Sequence, residues 1–252
     1  MNSRPSPRNL TVLARKRLTP SMQRVTLGGA GLSGFPAEQE GGYLKLFLGE
    51  DANGKPIVRT YTIRHQREGE LDIDFALHGG AAAGPATKWS LSAEPGSSIP
   101  VGGPGAAKPL PPGHDFYFVA GDMTALPAIG VNLAALARDA VGIAAIEIQN
   151  EADKVSLDKP DGVEIRWLVN PEPGTRPDLL VSALRDIGEV PEGRIAGWAA
   201  CEFSSMRELR SFFRNELGLS GPSLYISSYW KHGLVEDDHK LVKREDAESQ
   251  VA

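Results

Sequence analysis

The sequence predicts a β domain followed by an α/β domain, on three observations. Up to about residue 105 the chain is a series of short β-prone runs separated by Gly and Pro; Lys108-Pro-Leu-Pro-Pro-Gly113 is a stiff, punctuated connector; beyond it, strand-like and helix-like segments alternate. The expected boundaries are residues 1–107 for the first domain, 108–113 for the linker and 114–252 for the second. A chain of 252 residues is long enough to bury its own core without staples.

In the first domain the β-prone runs are Leu10 to Ala14, Arg24 to Leu27, Tyr43 to Leu48, Ile57 to Arg64 and Leu71 to Leu77, which fit a small antiparallel barrel or sandwich. Strict alternation in Leu71-Asp-Ile-Asp-Phe-Ala-Leu77 puts Leu71, Ile73, Phe75 and Leu77 on one buried face. In the second domain strands are expected at Phe116–Ala120, Ile143–Ile148, Val163–Val169, Arg194–Ala200 and Ser223–Tyr229. Helices are expected at Thr124–Ala137, Pro177–Ile187 and Ser204–Leu217, the last with Met206, Leu209, Phe213 and Leu217 inward. Such β-α-β order implies a mostly parallel sheet with ligand sites at the carboxyl ends of its strands.

Composition excludes several classes. A single cysteine, Cys201, cannot build a disulfide framework or a multi-thiolate metal site, and reads as a small buried hydrophobe. The five histidines lack metal-ligand spacing, so no metal ligand is expected. The start, MNSRPSPRNL, has no apolar core, and no run approaches a membrane span; a cytoplasmic protein is expected. A net charge of −5 argues against a nucleic-acid partner, although residues 1–37 hold six Arg or Lys and no acid. The acids Glu236, Asp237, Asp238, Glu245, Asp246 and Glu248 read as a solvated tail, frayed or helical against the surface.

Two segments carry chemistry. In Arg59-Thr60-Tyr61-Thr62-Ile63-Arg64, bracketed by the turns at Asn53-Gly54 and Glu68-Gly69, an aromatic ring, hydroxyls and guanidinium groups suit a flavin, though Tyr and Thr are equally ordinary strand residues. Gly84-Pro85-Ala86-Thr87 reads as a helix start with Pro85 at its first position and open N–H groups at Ala86 and Thr87, suited to a pyrophosphate or simply a helix entry. Asp122 reads first as a helix cap, and Ser205-Met-Arg-Glu208 as a capping box. Arg207, Arg210 and Arg214 form a stripe at helical spacing, ordinarily a solvated face.

Taken in order, Arg59-x-Tyr61-Thr62-x-Arg64, Asp74-x-x-Leu77-His78-Gly79, Gly84-Pro85-Ala86-x-x-Trp89, Pro95-Gly96, Gly121-Asp122-x-Thr124-Ala125-Leu126-Pro127, Trp198-Ala-Ala-x-Glu202-x-Ser204-x-Met206-Arg207-x-x-Arg210 and Tyr229-Trp230-Lys231-x-Gly233 resemble the siderophore-interacting protein family over nearly the whole chain. That family resembles the ferredoxin-NADP⁺ reductase superfamily. The resemblance implies a six-stranded antiparallel FAD-binding β-barrel, then an NAD(P)H-binding α/β domain, in a flavin oxidoreductase that reduces ferric siderophores. It makes Arg59, Tyr61 and Thr62 flavin contacts, Tyr61 and Thr62 at the reacting ring, and Asp74, Leu77, His78, Gly84, Ala86, Thr87 and Trp89 holders of the rest of the FAD. It places the pyridine nucleotide on Gly121, Asp122 and Thr124, with Arg207 at a phosphate, and an anionic ferric siderophore on Lys45 and Lys231. Three positions depart from the pattern: Met123 stands for the usual glutamate, Cys201 for a glycine, and Gly103-Pro104-Gly105 lacks the arginine that follows the proline in relatives. Competing expectations are a flavoprotein fed by reduced ferredoxin and a siderophore-binding accessory without turnover; a monomer is expected.

Overall fold

The computed structural model describes residues 6–78, 83–190, 192–234, 242–246 and 248. Gly79 and Gly80, and the acids Glu236, Asp237 and Asp238 of the tail, lie outside them. The chain folds into two compact units, Met1–Pro109 and Leu110–Ala252.

The first unit is a closed antiparallel barrel of six strands: β1 (Arg8–Thr19), β2 (Met22–Gly28), β3 (Tyr43–Glu50), β4 (Pro56–Arg67), β5 (Glu70–Ala76) and β6 (Ser98–Gly105), in the order β1-β2-β5-β4-β3-β6. Closure leaves no unpaired edge. Leu71, Ile73, Phe75 and Leu77 are buried as the alternation predicts, with Leu10, Val25, Leu44, Leu46, Ile63 and Ile99 completing the core.

The intervening acids behave differently from ordinary solvated residues. Asp72 and Asp74 are also buried, because Arg24 grips Asp74 through Nε at 2.7 Å and Nη2 at 2.8 Å while Arg67 and Thr26 each donate to Asp72 at 2.7 Å. Burial opposes the Asp72 charge, but those hydrogen bonds and the neighbouring guanidinium groups outweigh it and hold the carboxyl below its usual range.

Strand β6 closes the barrel by pairing with both β1 and β3. It was absent from the β-prone runs because Pro100, Gly102, Gly103, Pro104 and Gly105 have poor strand propensity. A Cβ at Gly105 would sit 2.0 Å from the Tyr43 ring, so a bare backbone is what lets that ring cross the strand. Between β5 and β6 lies α1 (Pro85–Ser92).

The second unit is a five-stranded parallel sheet in the order β11-β10-β7-β8-β9. Its elements are β7 (Phe116–Gly121), α2 (Leu126–Ala134), β8 (Gly142–Ile148), β9 (Val163–Val169), α3 (Leu179–Arg185), β10 (Ile195–Glu202), α4 (Phe203–Ser211) and β11 (Leu224–Trp230). Strands β7 and β8 are buried throughout, as strands covered on both faces must be.

The helices are shorter than the sequence suggests. α2 begins two residues late because the Asp122 carboxylate binds the Thr124 N–H at 2.9 Å and its hydroxyl at 2.5 Å, holding a turn there. Asp122 is therefore not the side-chain cap of α2. α4 ends at Ser211, and a π-turn, Phe212–Glu216, continues it with Phe213 inward and Leu217 half-buried.

The capping box at Ser205 does not form. Glu202 caps α4, its Oε2 accepting from the Ser204 and Ser205 N–H groups. Nor is the arginine stripe wholly solvated: Arg210 makes a bidentate pair with Asp246 at 2.5 and 2.8 Å, and Arg207 lies 3.8 Å from the same carboxylate. Part of the acidic tail is thereby docked on α4, as the short helical stretch 242–246. Among the described residues no helix is long and apolar enough to cross a membrane.

Candidate active site

In the barrel unit the candidate residues gather at β4, the end of β5 and the start of α1. Register decides their faces: Tyr61 pairs with Leu44 and Arg59 with Leu46, both core residues, whereas Thr62 pairs with Tyr43 and Thr60 with Lys45. Cross-strand partners share a face, so Arg59 and Tyr61 lie on the core side, and Thr62 and Lys45 on the outer side.

The Tyr61 ring, half-buried, packs 4.3 Å from Phe75, which packs 5.6 Å from Trp89 of α1. α1 opens at Pro85 with Gly84 at its cap and no side-chain capping bond. Its first intrahelical bond is Lys88 N–H to Gly84 O at 3.0 Å, so the N–H groups of Ala86 and Thr87 point out of the helix end with no partner among the described residues. Leu77 is buried and His78 exposed. The structure thus brings Tyr61, Trp89 and the α1 start into one aromatic neighbourhood. Asp74 stands apart from it, on the opposite face of β5 from Phe75, with its carboxylate held by Arg24.

In the α/β unit the candidate residues lie at the carboxyl end of the sheet. Gly121 is obligatory, since a Cβ there would meet the Ala200 carbonyl at 2.7 Å and Ile129 at 2.8 Å. Besides Thr124, the buried Asp122 carboxylate accepts from the Glu202 N–H at 2.8 Å and the Trp230 indole at 2.7 Å. Burial pushes its carboxyl up against those four hydrogen bonds. Met123 is buried, its sulfur 3.7 Å from the Gln149 amide.

Sequence reasoning missed Glu147, near the end of β8. Burial, and then the Asp122 charge, push its carboxyl up to about 7, opposed by a 2.8 Å bond from Asn170 and another from the Gly174 N–H. An acid inside a buried strand was the available signal. Cys201, fully buried beside these carboxylates, has its thiol pushed well up, first by burial, and is inert.

Arg207 is exposed on α4, its guanidinium 3.8 Å from the Asp246 carboxylate. Lys45 is exposed, and the Lys231 ammonium sits 4.6 Å over the Phe203 ring. A recess of about 570 Å³ lined by Arg214, Leu219 and Tyr225 lies at the amino end of β11, the wrong pole of the sheet for these residues. Among the described residues no group of three or more His, Cys, Asp or Glu is arranged to hold a metal ion.

Comparison with known proteins decides the family. Residues 114–233 match the siderophore-interacting protein model, and residues 11–56 and 50–108 match the siderophore-interacting FAD-binding domain. The ferric vibriobactin reductase ViuB of Vibrio cholerae is 33% identical, with 92% of each chain covered. The chain belongs to the siderophore-interacting protein family. Within it, the siderophore-interacting protein SipS of Aeromonas hydrophila superposes with a TM-score of 0.83 at 30% identity, covering 96% of this chain and 98% of that one. A siderophore utilization protein from T. fusca superposes at 0.82 with 32% identity, covering 93% and 96%. An NADPH-dependent ferric-chelate reductase of Escherichia coli is 31% identical over 66% of this chain and 72% of its own. Ferredoxin-NADP⁺ reductase from Plasmodium falciparum shares the fold, with a TM-score of 0.62 at 12% identity.

Proposed function

We propose that the chain is a cytoplasmic, FAD-dependent ferric-siderophore reductase that draws electrons from NADPH or NADH and releases iron as Fe(II). The observation that carries this reading is the barrel neighbourhood of a half-buried Tyr61 ring beside a helix start with two unspent N–H groups. That donor set fits FAD: backbone N–H groups and positive charge for a pyrophosphate, an aromatic platform for a planar ring. The family and the reductase relatives support it.

Ala86, Thr87 and Arg59 would hold the pyrophosphate, with Gly84 leaving room for its approach. Tyr61 would support the ring system, Thr62 would bond its polar edge, and Leu77, His78 and Trp89 would line the remainder. Asp74 is assigned to positioning through Arg24. FAD held by these residues would supply the chemistry that links a two-electron hydride donor to two Fe(III) ions, which take one electron each.

Gly121, Asp122 and Thr124 would receive the pyridine nucleotide, with Arg207 as an outlying phosphate contact. The substrate is Fe(III) in hard oxygen ligands, often with net negative charge, which Lys45 and Lys231 would attract; Fe(II) holds those ligands less tightly, so reduction is release. No protein nucleophile is needed.

The test is anaerobic turnover of the flavin-loaded protein with NADPH or NADH, a ferric siderophore and a ferrous trap. The proposal predicts a yellow protein and nucleotide-dependent trapping of Fe(II). Purified protein that neither carries nor takes up FAD would remove it in favour of a siderophore-binding accessory.

A further inference from the structure

We infer that the Glu172–Thr175 turn and the Trp230–His232 segment form a latch over the carboxyl end of β7, which a pyridine nucleotide has to displace before it can bind. The inference rests on the reading of Gly121 to Thr124 as the nucleotide site.

Strands β9 and β11 are the two edges of the sheet, four steps or about 19 Å apart. The segments that leave their carboxyl ends nevertheless meet. Nδ1–H of His232 donates to the Pro173 carbonyl at 3.2 Å, and a Cβ at Gly174 would lie 3.0 Å from both the Trp230 ring and His232. One segment has crossed β8 and the other β10, so they join above β7.

Each strand beneath supplies a carboxylate that pins the crossing. Glu147 of β8 accepts from Asn170 and from the Gly174 N–H. Asp122, at the end of β7, accepts from the Trp230 indole at 2.7 Å. Glu202 of β10 accepts from the His232 N–H at 3.1 Å. Three buried acids, one from each strand beneath, therefore hold the crossing in place.

The turn itself is pre-formed. Thr175 N–H bonds the Glu172 carbonyl at 3.2 Å and its hydroxyl bonds the same oxygen at 2.6 Å, with Pro173 and Gly174 at the corners and Gly174 at φ 82°. Proline followed by a left-handed glycine is the pairing a type II turn requires. Donors that need the sheet's carboxyl edge must pay for opening it, whereas a donor docking elsewhere need not, so the latch sets donor choice.

The experiment compares wild type with His232→Ala and Asn170→Ala, which release the crossing from opposite ends. Flavin bleaching by NADPH and by NADH is followed anaerobically, with dithionite as the control reductant. Hydrogen exchange at residues 170–175 and 230–232 is measured with and without NADP⁺.

A closed latch lowers apparent nucleotide affinity in proportion to the fraction of molecules that stand open, so each variant should lower KM severalfold and NADP⁺ should speed exchange at Gly174 and His232. Equal KM values with unchanged exchange overturn the latch and leave the nucleotide reading standing. A raised KM in His232→Ala makes the ring a nucleotide contact and likewise overturns it. If dithionite bleaches all three proteins and neither nucleotide bleaches any, the nucleotide reading falls and the latch with it.

Discussion

The candidate sites of the two units treat their polar groups in opposite ways. At the barrel's candidate site the helix α1 opens with two N–H groups unspent and an aromatic ring half in solvent. At the carboxyl edge of the α/β sheet every oxygen of Asp122 is engaged by the protein itself, and Glu147 and Glu202 are likewise bonded. One candidate site presents open donors; at the other the polar groups are spent on one another. A ligand at the first would add contacts, whereas a ligand at the second would have to exchange contacts already made, so affinity at the two should respond differently to mutation.

The sharpest break in that contrast is Asp122→Ala. It strands the Thr124, Glu202 and Trp230 donors in a buried setting, at about 1–3 kcal/mol each for a lost partner. We expect a loss of about 4 kcal/mol in denaturant unfolding of the α/β unit, with barrel-borne FAD affinity unchanged.

Glu147→Gln comes next, and its effect depends on pH. Burial first, and then the Asp122 charge, push the Glu147 carboxyl up to about 7 in the folded chain, against the ordinary 4.3 or so of an exposed glutamate. The folded state thus keeps a proton that the unfolded chain gives up as pH rises through 4 to 7, so stability falls over that window and the penalty is complete above 7. Relief by Gln should reach up to about 3 kcal/mol at pH 8 and vanish near pH 4, read as the Tm difference between the two proteins.

On the barrel side, Tyr61→Ala should raise the FAD Kd about tenfold, the value of one lost ring contact, measured by fluorescence titration of the apoprotein. Unaltered affinity would remove Tyr61 from the site. The smallest effect expected is at the surface: Lys231→Glu should raise KM for an anionic ferric chelate by about two- to threefold at low salt and less at high salt, with flavin content unchanged.

What the sequence showed follows the range of the physics involved. Leu71 to Leu77 announced its buried face, and Pro85 announced a helix start, because both signals are local. β6 escaped because its glycines and prolines are there to pass Tyr43 and close the barrel, a need that exists only once β1 and β3 are in place. The box at Ser205 was locally plausible, yet Glu202 won the cap, since its other oxygen is fixed by His232, thirty residues on. Family resemblance gave the six-strand count and the flavin; it gave nothing of the crossing above β7, whose two halves, Pro173 and His232, are far apart in the chain.

The most direct test of the central claim bypasses the electron donor. Flavin-loaded protein is reduced anaerobically with dithionite, freed of excess reductant, and titrated with a ferric siderophore while flavin absorbance and trapped Fe(II) are recorded together. The account predicts return of the oxidised flavin spectrum with about two Fe(II) per flavin. Flavin that stays bleached in the presence of excess ferric siderophore, with no Fe(II) formed, would contradict it.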